Sequence, residues 1–179
     1  VRVLGIDPGS RFCGFGVVED AGGTCVRHLA HGVLALGEAG AMEDRLRALH
    51  EGLCREISLH RPEIVAVEDV FHARNARSAL VLGQARGVAL LAAAQAGVRV
   101  CSFAPSVIKQ AVTGTGRAEK EQVGRMVEVV LGITVRERLD ASDALAAAIC
   151  GCLRARDPEP LAPRRRGDWR AALARRFAK

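Results

Sequence analysis

The sequence has no charge-free apolar run of roughly 18 residues or more, so it offers no candidate bilayer-spanning helix. It has no CxxC pair. Its six cysteines, Cys13, Cys25, Cys54, Cys101, Cys150 and Cys152, are scattered and mostly set among apolar neighbours, as expected of small inert thiols in a reduced compartment. Cys25, His28 and His31 form a C-x2-H-x2-H pattern, but no second ligand pair follows it. In an extended strand a spacing of three puts side chains on opposite faces, so these are expected to be ordinary strand residues. Neither a Walker phosphate loop nor a Ser-His-Asp pattern occurs. The opening run 1–7 is too short, and too soon interrupted by Asp7, to read as a secretory leader, and a cytoplasmic location is the expectation.

What remains is globular in character. The chain has 179 residues, 49% hydrophobic and 26% charged, enough for one domain with a sizeable core. Charge is unevenly distributed. Residues 1–70 carry seven basic and eleven acidic side chains, residues 71–125 eight and two, residues 126–153 two and four, and residues 154–179 nine and three. Acidic segments flanking a basic one suit a nuclease, in which carboxylates gather cations at one spot and basic groups hold phosphate around it.

Hydrophobic patterning gives the order of elements. Residues 1–7 read as a short buried strand, followed by the turn chemistry of Asp7-Pro8-Gly9-Ser10. Strands are expected over 14–18 and 25–36, making an antiparallel meander. Met42, Leu46, Leu49, Leu53 and Ile57 recur at helical spacing over 42–60, and Arg61-Pro62 ends that helix. Residues 64–67 form a continuous apolar run, as in a central strand. An Ala/Gly-rich helix over 75–96, a strand over 98–103 and a helix opened by Pro105 follow, then helices over 117–131 and 140–153. The expectation is an α/β domain over 1–156 with a five-stranded mixed sheet, three strands as an antiparallel meander plus two parallel strands, flanked by helices. Residues 157–179 read as a Pro-containing linker and a basic tail, disordered in isolation.

Four acids stand out. Asp7 ends a buried strand and Glu68 ends the run Ile64-Val65-Ala66-Val67. Asp140 and Asp143, three apart, share one face at a helix start, where Asp140 would also serve as a helix cap. If the two strands are neighbours in the sheet, all four carboxylates converge. Such a group is costly unless cations neutralise it, and hard oxygen ligands select Mg²⁺ or Mn²⁺. Two such ions would clamp the attacking and leaving oxygens of a phosphodiester.

The stretches Leu4-Gly5-Ile6-Asp7-Pro8-Gly9-Ser10, Val67-Glu68-Asp69-Val70-Phe71, Leu82-Gly83-Gln84-Ala85-Arg86-Gly87-Val88 and Asp140-Ala141-Ser142-Asp143-Ala144, in this order and spacing, resemble the RuvC family of Holliday junction endonucleases over roughly residues 1–153. The resemblance implies an RNase H-like fold and a homodimer. It implies a site of Asp7, Glu68, Asp140 and Asp143 holding two divalent ions, and hydrolysis of four-way junction DNA to 5′-phosphate and 3′-hydroxyl ends. It also points to Lys109 and Lys120 beside the cleaved phosphate, where an ammonium can stabilise developing negative charge. It suggests coupling to the RuvA–RuvB branch-migration machinery. Some family members have histidine where this chain has Asp143, so the site here is all carboxylate. Asp69 departs from the neutral polar residue of relatives. As the neighbour of Glu68 on a strand it is expected to face the other way and to be structural. Phe71 is a candidate for stacking on an unpaired base at the junction centre, its alternative being core packing. Arg74, Arg77 and Arg117 are candidates for phosphate contacts. The helix over 75–96 is apolar on several faces, enough to pack on the sheet and on a partner. Two other readings compete. The Gly-Ile-Asp-x-Gly opening also occurs in actin-like kinases and ATPases, for whose two-lobed architecture this chain is short. A non-catalytic junction-binding protein would be expected to lack at least one of the four acids.

Overall fold

The computed structural model describes residues 1–9, 11–23, 25–37, 41–69, 75–135 and 139–156. Five strands form one mixed sheet in the order β3-β2-β1-β4-β5. β1 (Arg2–Pro8), β2 (Phe12–Asp20) and β3 (Val26–Ala35) are the antiparallel meander. β4 (Ile64–Glu68) and β5 (Arg99–Phe103) add parallel to β1. Helices α1 (Met42–His60) and α2 (Ala76–Gln95) lie on one face; α3 (Pro105–Thr113), α4 (Lys120–Leu131) and α5 (Leu139–Arg154) lie on the other. The expected mixed α/β sheet is present. Among the described residues no helix is long and apolar enough to cross a membrane.

Burial alternates in β1 between the two faces. Val3 packs with the α3–α5 layer, and Leu4 and Ile6 pack with α1 and α2. α1 presents Leu49, Leu53 and Ile57 to the sheet, and α2 presents Ala85, Ala89, Ala92 and Ala93. α2 starts at Asn75, whose side chain accepts the Ser78 N–H at 2.9 Å, a sound N-cap.

α5 is the axis of the other layer, and three glycines let it lie directly on the strands. A Cβ on Gly5 would sit 2.0 Å from the Ala144 carbonyl oxygen. One on Gly14 would sit 1.9 Å from the Asp140 carbonyl oxygen, and one on Gly16 2.7 Å from the Leu145 side chain. Ala141, Ala144, Ala147 and Ala148 are buried from the helix side, so small residues meet small residues and the backbones approach closely. The far end of α5 is fastened by Arg156. Its Nε and Nη2 donate to the Asp20 carboxylate at 3.0 and 2.5 Å, and its Nη2 donates to the Cys25 carbonyl at 2.7 Å, clasping the β2–β3 turn.

Several boundaries differ from the patterning. β2 runs further at both ends than 14–18, because pairing with β1 continues to Arg2↔Glu19 and Pro8↔Cys13. α4 starts at Lys120 rather than 117. Asp140 lies within the first turn of α5, which begins at Leu139, so it does not cap the helix. The face assignment of His28 and His31 is corrected as well. Val18 pairs with His28 and Val17 with Ala30, a bulge that leaves Leu29 over. The extra residue cancels the odd spacing and brings the two imidazoles together, His28 Nε2 to His31 Nδ1 at 2.7 Å. Phe71, Arg74 and the segment 157–179 lie outside the described residues.

Candidate active site

The register of the central strands brings the first two acids together. β1 and β4 pair through Ile6↔Val67, so Asp7 and Glu68 follow side by side at their carboxyl ends. Both point to the α5 side, since Asp7 is two residues beyond Gly5 and Glu68 is paired with Phe103 of the α3–α5 core layer. Gly14, the partner of Asp7 across β1–β2, is where the α5 backbone rests at Asp140. Asp140 and Asp143 therefore stand over the ends of the two central strands. The positive end of the α5 dipole points at the same place and favours negative charge there.

The carboxylates sense one another. Asp7 is raised from 3.8 to about 7, first by burial and then by the charges of Asp143, Glu68 and Asp140, against the opposing pull of Lys120. Glu68 is raised by burial and by Asp143, with Lys120 and Lys109 acting against the shift. Burial also raises Asp143, and the Lys120 hydrogen bond and charge only partly offset it. Lys120 Nζ lies 2.5 Å from Asp143 Oδ2. Burial by itself would lower Lys120, but the bond to Asp143 and the charges of Asp143, Asp7 and Asp140 outweigh it and hold the ammonium protonated. Lys120 and Lys109 are the two lysines set against four acids.

That excess of acid is the chemical test of fit for a metal. Four hard oxygen donors from three elements, one of them driven to about 7 by burial and its neighbours, suit divalent cations of the Mg²⁺ or Mn²⁺ type. As they stand, no three Asp, Glu, His or Cys side chains among the described residues are grouped tightly enough to share one ion. A shared ion at these residues would require the carboxylates to move closer together, and the Lys120–Asp143 ion pair competes with it for Asp143.

Beside the acids is a cleft of about 310 Å³. Glu68, Asp143, Lys109 and Lys120 form its polar wall, and Pro105, Ile108 and Val123 its apolar wall. Of the sequence candidates, Lys109 and Lys120 therefore meet the acids in one cleft. Arg77, in the first turn of α2, and Arg117, before α4, are exposed and outside that lining. Cys13, buried in β2, is no nucleophile: burial and the charges of Asp7 and Asp140 push its thiol far above the usual range.

Asp69 faces away from Glu68, as its place on the strand requires, and the structure supplies a partner that sequence reasoning did not name. Arg86 of α2 donates from Nη2 to Asp69 Oδ1 and to Ser102 Oγ, both at 2.7 Å. Arg86 stands in one of the motif stretches, but with no acid near it in sequence the only signal was its place on the helix facing β4. The seating glycines Gly5 and Gly14 were also missed as site residues, although Gly5 stands two residues before Asp7 and Gly14 pairs with Asp7 across β1–β2.

A mixed sheet whose two central strands end in carboxylates, closed by a helix that adds two more, places the chain in the RNase H-like class of nucleases. The chain is similar in structure to Thermus thermophilus RuvC in complex with a Holliday junction substrate, with a TM-score of 0.81 at 37% identity, covering 87% of this chain and 94% of that one. The yeast mitochondrial Holliday junction resolvase Ydc2 shares the fold at a TM-score of 0.60, with 14% identity over 85% of this chain and 77% of that one. The crossover junction endodeoxyribonuclease RuvC of Myxococcus xanthus is 52% identical over 99% of this chain and 95% of its own length. That of Trichlorobacter lovleyi is 52% identical over 84% of each chain. Residues 3–151 match the family described as crossover junction endodeoxyribonuclease RuvC. The chain belongs to the RuvC family of endodeoxyribonucleases, and the actin-like reading falls away.

Proposed function

We propose that the protein resolves four-way DNA junctions by paired symmetric nicks, with Asp7, Glu68, Asp140 and Asp143 as ligands for two Mg²⁺ or Mn²⁺ ions. The observation that carries this is the convergence of four carboxylates from β1, β4 and α5 beside Lys120 and Lys109, in a family whose Thermus thermophilus member is seen with a Holliday junction. The bound ions would lower the pKa of water for attack on the phosphodiester and offset charge on its oxygens. The protein's own part is to hold four acids in a half-buried wall, so that their mutual repulsion is relieved only by cations. Lys120, freed from Asp143, and Lys109 face the cleft and balance the charge that builds on the phosphate. In-line hydrolysis leaves 5′-phosphate and 3′-hydroxyl ends.

DNA outside the cleft is held by Arg77 and Arg117, both exposed, and by Arg74. Phe71, which follows Glu68 by three residues, stacks on an unpaired base at the junction centre. A homodimer supplies the second cut. α2 exposes Leu80 and Leu91 at 69% and 51%, and a Cβ on Gly83 or Gly87 would meet nothing within 4 Å. These four residues make an apolar stripe along one side of the helix, smooth enough for a second copy to approach closely. Two-fold related sites then address two-fold related strands. By family resemblance the partners include RuvA and RuvB, and the location is cytoplasmic.

The test is product mapping on a labelled synthetic junction. The proposal expects nicks at symmetry-related positions on like strands, resealed by DNA ligase without end repair. Single unpaired nicks, or ends that ligase rejects, would contradict it.

A further inference from the structure

We propose that Asp69, Arg86 and Ser102 form a positioning clamp for Glu68, so that α2, on the face of the sheet opposite the acids, fixes the geometry of the metal-facing carboxylate. The inference rests on the reading of Glu68 as a metal ligand.

The clamp joins three elements at one point. Asp69 is the first residue past β4, its N–H still bonded to the Phe103 carbonyl at 2.8 Å, so the ladder to β5 continues through it. Ser102 pairs with Val67, which packs in the α1–α2 core layer. Side chains at 67, 69 and 102 therefore face α2, and Glu68 between them faces α5. A single nitrogen, Arg86 Nη2, reaches both Asp69 Oδ1 and Ser102 Oγ at 2.7 Å. Among the described residues, Arg86 Nε is buried and has no hydrogen-bond partner, so the side chain's contacts to Asp69 and Ser102 come from its Nη2 end.

The pair is placed where a strand ends, and a strand end has one ladder bond fewer to hold it. Without the clamp, the Asp69 N–H keeps its bond to the Phe103 carbonyl but its side chain is untethered, and a rotation there swings Glu68 out of line with Asp7. With it, the direction of Glu68 is set by contacts on the opposite face of the sheet. Residues that orient metal ligands without touching the ion typically change affinity by about ten to a hundredfold when removed.

The experiment is Mn²⁺ binding by calorimetry on the full chain without DNA, with amide exchange at Asp69 as a second readout. Sedimentation at the same concentration confirms an unchanged oligomeric state, and thermal melts confirm folding. Asp69→Ala and Arg86→Ala should each bind Mn²⁺ about tenfold more weakly than the wild type, with faster exchange of the Asp69 amide. Asp69→Asn, which removes the charge but keeps an oxygen for Arg86, should stay within about threefold of the wild type. Equal losses in Asp69→Asn and Asp69→Ala would show that only the charge matters and would overturn the positioning role. So would unchanged Mn²⁺ affinity in Asp69→Ala beside a lowered melting temperature, the mark of a purely structural staple. A wild type that binds no Mn²⁺ would overturn the reading of the acids as metal ligands and this inference together.

Discussion

Asp7 carries the largest electrostatic load of any carboxylate in the site. Its pKa is about 7 in the folded chain and 3.8 as an ordinary carboxyl, so between those values the folded state keeps a proton that the unfolded chain has released. Asp7's contribution to metal-free stability therefore falls as pH rises from about 4 to about 7, because burying the anion opposes folding. Asp7→Asn removes that opposition. In chelator at about pH 8 it should melt roughly 5 °C above the wild type, and near pH 4 the two should coincide. Equal melting at the higher pH would mean Asp7 is not strained by its neighbours. Lys120 gives a separable residue-level prediction. Lys120→Met should lower kcat by about a hundredfold and leave junction affinity nearly unchanged, measured by single turnover and by gel shift. An equal loss in affinity would make Lys120 a general phosphate contact rather than a group acting on the reacting oxygens.

At the scale of elements, the seating of α5 decides whether the acids meet at all. Gly14→Ala would place a methyl group 1.9 Å from the Asp140 carbonyl oxygen, and only a shift of α5 or β2 can relieve that. Destabilisation of about 3 kcal/mol in denaturant melts is expected, with Mn²⁺ binding lost more completely than folding. Retained Mn²⁺ affinity would show that α5 need not touch β2 for Asp140 and Asp143 to serve. Much at this scale was legible in the sequence. Apolar runs marked β1 and β4, Pro62 and Pro105 bounded helices, and the acids at strand ends announced the site. What was hidden depends on pairing across the chain. The bulge at Leu29, which unites His28 and His31, is visible only once β2 and β3 are in register. Gly14 reads as a strand glycine until the helix 126 residues later lies on it. Arg86 finds Asp69 only through tertiary packing.

For the whole molecule, the four acids lie on one face of the sheet, and the other face carries α2 with its exposed Leu80 and Leu91. The exposed stripe of Leu80, Gly83, Gly87 and Leu91 on α2 is the surface proposed for a second copy. Leu80→Arg should give a monomer by sedimentation and convert paired cuts into slow single nicks, with folding intact. A stable dimer in that variant would place the two-fold interface elsewhere. In the proposed dimer two acid clusters share one particle, which would let both cuts follow from one binding event. The most direct measurement is cleavage of a labelled four-way junction against Mg²⁺ or Mn²⁺ concentration, by wild type and by Asp7→Asn, with linear duplex as control. Metal-dependent cutting of the junction alone, abolished in Asp7→Asn while junction binding persists, is the predicted result. Undiminished cutting by Asp7→Asn, or cutting that persists in chelator, would contradict a site built from these carboxylates.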